Sequence, residues 1–388
     1  LVFWTLTLAY FLSYFFRSAN AVIASDLTAA LRLSDADLGL MTAAFYLGFA
    51  GSQLPIGWAL DRYGVRVVQT VLLGVAVVGA LTFSVADSLF TAALARALLG
   101  VGLAGCLMAA FKAFAQWFSP ERQATVTGAL MALGVLGAMG AASPLAWLSG
   151  VAGWRTVFVY GAVFTVVSAL LIFAFVRDQP RDQPQQPLES TPFKPLEPRL
   201  LLIAVTNFFA AGALLSIQTL WGGKFLFDQY GLEKPAVGAL LTVLNLGVFV
   251  GYAGIGWLAD RYGVVRVARV GLGLFAVCLF GLAVRVPPEF LPTVYFAFGA
   301  CGTINLLLLF HAKRLYPAAL TGRATTLVNT FGIFGTFLLQ TGMGVVVDAL
   351  PTQGYALGFA GMALGLVVTG ALYARGQGEP SLEAQEAR

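Results

Sequence analysis

The chain has 388 residues, of which 59% are hydrophobic and 11% charged, with a formal net charge of +5. An average soluble domain carries roughly 45–50% apolar and about 25% charged residues, so water is excluded as the principal solvent. Lys and Arg are scattered through short connections rather than gathered on one face, which argues against a nucleic-acid surface and fits the positive-inside bias of membrane proteins.

Apolar runs long enough for the ~30 Å hydrocarbon core predict an all-α membrane protein of twelve transmembrane helices. They lie approximately at 2–23, 38–60, 67–86, 89–115, 124–148, 154–176, 200–223, 236–259, 267–286, 292–315, 323–347 and 354–374. The first apolar stretch is full length and carries Arg17 within it, so it reads as a span and not as a cleaved leader. Between the sixth and seventh spans, Arg177–Arg199 holds six prolines among charges and glutamines, a composition that can neither fold alone nor enter lipid. The expected organisation is a six-helix bundle over 1–176, a cytoplasmic linker over 177–199, a second six-helix bundle over 200–375 and a cytoplasmic tail over 376–388. With both termini on one side, that side collects fifteen Lys/Arg and the other only five (Arg32, Arg155, Lys224, Lys234 and Arg285), which makes the first side cytoplasmic.

In span 1, Tyr10, Ser13, Tyr14, Arg17 and Asn20 recur at intervals of three and four, so they share a helix face. An Arg inside a span needs such a polar face. Its five fixed donors suit a carboxylate or phosphate, and the competing reading ties Arg17 to neighbouring helix carbonyls. GWALDRYGVRVV (57–68) returns as GWLADRYGVVRV (256–267), and the same offset of 199 matches Gly39 and Gly48 with Gly238 and Gly247. Duplicated halves of this kind mark a transporter whose site lies between the repeats. Asp61 and Arg62, with Asp260 and Arg261, sit beside tight Gly turns where they can pair across a cytoplasmic seam that breaks as the halves rock; a solvated turn is the alternative.

Arg96, about a third of the way into span 4, must face protein or water and is expected to anchor helix ends near the outer gate. Gly134, Gly137, Gly140 and Pro144 in span 5 permit close helix packing. Lys112 and His311, equivalent at the offset of 199, are candidates to extend a positive path from Arg17, with His311 able to titrate. Gln218 and Trp221 in span 7 and Asn305 in span 10 are candidates to orient substrate, against an interhelical hydrogen bond for each. Cys106, Cys278 and Cys301 lie in apolar runs without metal-ligand spacing. No catalytic set, metal or cofactor is expected. No Asp or Glu falls near the middle of any span, which disfavours a proton-driven exporter of cations.

The paired motif, matched at Gly57, Leu60, Asp61, Arg62, Gly64 and Arg66 and again over Gly256–Gly263, resembles the major facilitator superfamily across essentially the whole chain. Arg96, Gly100 and Gly102 match a second superfamily pattern, with Leu99 where that pattern has an amide. The resemblance implies the major facilitator fold and a central cavity lined mainly by spans 1, 4, 7 and 10. Span 1 is similar to that of members carrying organic anions and organophosphates, where an Arg after an aromatic run grips the anion. The expected protein is no enzyme. It is a monomeric, multi-pass secondary transporter in the lipid of a bacterial inner membrane, moving a small organic anion by alternating access, with protons as coupling ion or by exchange. A multidrug or metabolite exporter and a non-transporting membrane sensor are the alternatives.

Overall fold

The computed structural model describes residues 1–178, 197–316 and 318–376, without the side chains of 61, 115, 120, 121, 123–125 and 318–322. Most of the expected linker, nearly all of the tail and the side chain of Asp61 therefore lie outside the described residues. All regular structure described is helical, as a hydrocarbon solvent demands of a chain that must satisfy its own backbone groups.

Ten segments are long and apolar enough to cross a membrane. The other two expected spans precede them: span 1 as helices Val2–Ser18 and Asn20–Leu31, and span 2 as the first part of the helix Asp35–Ser84. Span 3 is the rest of that helix, separated by Gly64 at φ 82° and ψ 171°. Span 4 is Leu89–Leu103 with Cys106–Trp117, span 5 is Pro120–Gly140 with Ser143–Ala152, and span 6 is Trp154–Phe175. Span 7 runs from Pro198 to Tyr230 with a π-helical turn at Ile217–Trp221. Spans 8 and 9 are Lys234–Tyr262 and Val264–Ala283, span 10 is Leu291–Gly302 with Ile304–Arg314, and spans 11 and 12 are Ala318–Ala349 and Gly354–Gly376.

Spans 1 and 7 are longer than their apolar runs. Both continue as helix past the hydrocarbon because Asp26 and Asp228, on the added turns, find lysine partners at 2.6 Å. At the first DRYG turn the carboxylate of Asp178, at the end of span 6, accepts hydrogen bonds from the amides of Val65 (2.7 Å) and Arg66 (3.2 Å). That contact satisfies the free N–H groups opening span 3 and complements the helix dipole.

The repeat seen in the sequence is a repeat of packing. Gly48 rests on the carbonyl of Ala97 and Gly100 on that of Phe45, while their equivalents Gly247 and Gly299 rest on the carbonyls of Phe296 and Leu244. A Cβ at any of the four would collide with the oxygen, so spans 2 and 4, like spans 8 and 10, cross with backbones touching. These crossings fix which faces of spans 4 and 10 turn inward.

Candidate functional site

A cavity of about 140 Å³ lies between the two sets of helices. Spans 1, 2, 4 and 5 line one wall and spans 7, 8, 10 and 11 the other. Its polar groups are Tyr10, Ser13, Tyr14 and Arg17 of span 1, Tyr46 of span 2, Tyr252 of span 8, Asn305 of span 10 and Asn329 of span 11; among the described lining residues none is acidic.

Arg17 stands two residues before the break of span 1 at Ala19. Its guanidinium lies over the rings of Tyr14 (4.8 Å to the centroid) and Phe49 (5.5 Å), a cation–π seat, and it makes no ion pair among the described residues. Its Nε is buried and has no hydrogen-bond partner among the described residues, and neither has Oδ1 of Asn305 across the cavity. A buried donor and a buried acceptor left open on opposite walls are costly, and their chemistry suits a carboxylate on one side and a hydroxyl on the other.

Arg96 does not reach the cavity. It is fully buried, and its Nη1 donates to the carbonyl of Phe16 at 2.7 Å, the residue before Arg17. Arg96 thus holds the broken turn of span 1 against span 4 and positions Arg17 through the backbone.

Of the other residues singled out in the sequence, Tyr10, Ser13, Tyr14 and Asn305 line the cavity with Arg17, and five are engaged elsewhere. Asn20 donates to Thr42 (2.9 Å), Gln218 to Asn245 (2.7 Å) and the Trp221 indole to the Gln340 carbonyl (3.0 Å). Lys112 donates to the Leu60 carbonyl (2.5 Å), tying span 4 to the end of span 2, while His311 Nδ1 meets the Tyr373 hydroxyl at 2.7 Å. The two repeat equivalents therefore bind different helices. Tyr46, Tyr252 and Asn329 were not singled out by spacing. The available signal was a phenol or amide inside a span, which needs a polar partner for its tip.

At the DRYG turns, Arg62 stacks on Trp58 and Tyr63 (5.6 Å each) and Arg261 on Trp257 and Tyr262 (5.7 Å each), aromatic rings of their own helix ends. Asp260 is exposed and shares an open depression with Lys313 and Arg314. Among the described residues, the polar contacts that join the two halves gather at the opposite end, remote from the termini. Lys224 meets Asp35 at 2.9 Å, Lys234 meets Asp26 at 2.6 Å, the Ser143 and Thr242 hydroxyls lie 2.9 Å apart, and the Asp35 amide donates to Asp348 at 3.1 Å. Just inside this seam the Tyr46 hydroxyl donates to Thr219 at 3.2 Å.

Repeated helical halves around a shared polar cavity, fastened together at one end, define the fold of a secondary transporter. The chain belongs to the Major Facilitator Superfamily, which it matches over residues 6–332, a family of transporters and not of enzymes. It is 28% identical to a hexuronate transporter of Bacillus subtilis, over 92% of this chain and 90% of that protein. It is 27% identical to a probable sulfoacetate transporter of Cupriavidus necator, over 94% and 89% of the two chains. A solved bacterial homologue of the human lysosomal transporter Spinster, described as inward-facing and unoccupied, superposes with a TM-score of 0.80 at 18% identity, covering 96% of each chain.

Proposed function

We propose that this chain carries a small hydroxylated organic anion across the bacterial inner membrane, exchanging one anion for another. The observation that carries the reading is Arg17, a permanent cation in the cavity shared by both halves, with a buried Nε that has no partner among the described residues. The phenols of Tyr10, Tyr14, Tyr46 and Tyr252 and the amides of Asn305 and Asn329 supply hydrogen bonds suited to hydroxyl groups. The solutes for which the two relatives are named are both carboxylates. Exchange follows from charge: with no acidic side chain among the described cavity residues, an empty carrier must occlude an unpaired guanidinium, whereas a loaded one occludes a neutralised pair.

Purified protein screened by thermal shift against hexuronates, aldonates, hydroxy-dicarboxylates, sulfonates and neutral sugars should be stabilised by hydroxylated acids and not by neutral sugars. In proteoliposomes, uptake of the best ligand should accelerate when the same acid is loaded inside. Stabilisation by neutral sugars or lipophilic cations alone would replace the anion reading.

The bundles of this reading are 1–176 and 200–375, joined by 177–199, with both termini cytoplasmic. The fastened seam is then periplasmic and the structure inward-facing. In a chain lacking Cys106, Cys278 and Cys301, a cysteine at Gln185 should react with impermeant thiol reagents in inverted vesicles. Reaction in intact cells would reverse the orientation.

A further inference from the structure

Two grooves of about 620 and 570 Å³ run down the outer surface of the bundle, one on each half. The first lies between spans 2 and 3 over span 4, the second between spans 8 and 9 over span 10. They are repeat equivalents almost residue for residue: Gly51 answers Val250, Ile56 answers Ile255 and Tyr63 answers Tyr262, each at the offset of 199. Neither groove shares a lining residue with the central cavity. The rims carry exposed apolar side chains such as Val71 and Val270, so whatever fills the grooves comes from the hydrocarbon.

The second groove differs from the first at its mouth, the end nearest the termini. Where the first has Val67, the second has Arg266, which is exposed, lines the groove and makes no ion pair among the described residues. Tyr262 lines the same mouth, with the Arg261 guanidinium 5.7 Å above its ring and above that of Trp257. Trp, Tyr and Arg are the residues that settle at the depth of lipid head groups. From Val250 to Tyr262 the groove follows span 8 for about 18 Å at 1.5 Å per residue, close to the ~15 Å hydrocarbon depth of one leaflet. Its interior is apolar, and Gly254, where an added Cβ meets nothing within 4 Å, leaves room against the helix backbone, while Gly251 packs closely on the Ala300 carbonyl of span 10.

We propose that the groove between spans 8 and 9 binds one anionic phospholipid of the leaflet nearest the termini. An acyl chain lies along Gly254 and Ala300, and the head-group phosphate is held by Arg266. The first groove, with Val67 in that place, takes an acyl chain without preference for the head group. The site is separate from the substrate cavity and does not depend on what the cavity carries.

Native mass spectrometry of the full-length protein, delipidated and then offered equal amounts of dioleoylphosphatidylglycerol and dioleoylphosphatidylcholine, tests this assignment. Wild type should retain one phosphatidylglycerol in preference to phosphatidylcholine, and inorganic phosphate should not displace it. Arg266→Val should lower that preference about fivefold, the effect of one Arg near an anionic surface. Val67→Arg should add a second phosphatidylglycerol. Gly254→Phe, at a position where an added Cβ meets nothing within 4 Å, should fill the groove and remove the retained lipid while the protein stays monodisperse. Equal retention of the two lipids by wild type, or an unchanged preference in Arg266→Val, would overturn the head-group assignment. Retention unaffected by Gly254→Phe would overturn the groove, and if that variant fails to fold, the gain or absence of a second lipid in Val67→Arg decides the same point in the equivalent groove.

Discussion

Replacing Arg17 with Ala should weaken substrate binding by roughly thirtyfold or more while leaving the empty protein at least as stable as before. The guanidinium sits within a span on two aromatic faces, with its Nε buried and unpartnered, so in the absence of ligand its removal relieves a desolvated charge. The two cation–π interactions that disappear with it offset part of that gain, at roughly 0.5–2 kcal/mol each. With ligand the balance reverses, because removing one member of a buried, hydrogen-bonded charge pair costs about 2–5 kcal/mol, a loss of affinity of roughly thirtyfold to several thousandfold. Arg17→Lys keeps the charge and forfeits the two-pronged geometry, and about tenfold weaker binding is expected. Calorimetric titration of the anion found by the thermal screen, with melting curves of the empty variants, separates the possibilities. A variant that melts several degrees below wild type and still binds would make Arg17 a structural anchor.

Much of this architecture is legible in the sequence because the hydrocarbon leaves the chain few choices. Runs of apolar residues must be helices, and the duplicated Asp-Arg-Tyr-Gly turns with the matched Gly48 and Gly247 announce the repeat before any coordinate is seen. What spacing cannot fix is the rotation of each helix about its axis where two halves meet. Tyr14 and Asn20 share a helical stripe with Arg17 in sequence, yet Tyr14 faces the cavity and Asn20 turns to Thr42. Gln218 and Trp221 are taken up in the same way by Asn245 and a backbone carbonyl, since in lipid a buried amide or indole takes the nearest partner. His311, the single histidine of the chain, is engaged by Tyr373 for the same reason. The pairings at the remote seam were hidden for another cause. Lys224 and Lys234 read as loop charges outside the membrane, and nothing local to them shows that their partners are about two hundred residues away.

One long-range signal for that seam does exist, and it leads to the second large effect. Asp35 and Lys234 are repeat equivalents at the offset of 199, while Asp26 falls one residue from the equivalent of Lys224. The ion pairs Asp35–Lys224 and Asp26–Lys234 are therefore one contact used twice across the pseudo-twofold axis, with the charges exchanged. Lys224 is the more buried member and also meets Asp228 at 2.6 Å, which in turn accepts from the Tyr355 hydroxyl at 2.7 Å. Removing the amine leaves Asp35 of one half facing Asp228 of the other, so attraction becomes repulsion across the seam. The pair lies between the exposed class, worth ~1 kcal/mol or less, and the buried class, where losing a partner costs about 3–5 kcal/mol. A shift of about 2 kcal/mol changes the ratio of closed to open seams roughly thirtyfold. Lys224→Met should accordingly populate a state with this end open, and Asp35→Asn should do so more weakly. Asp228→Asn, which spares the bond between the halves, should not. Spin labels at Asp87 and Glu289, exposed positions in the span 3–4 and span 9–10 connections, report the opening as a longer distance in pulsed electron resonance. Distance distributions identical to wild type in both Lys224→Met and Asp35→Asn would show that the seam is held by packing alone, through close approaches such as Gly223 on the Ala21 carbonyl and Gly344 on that of Asp35.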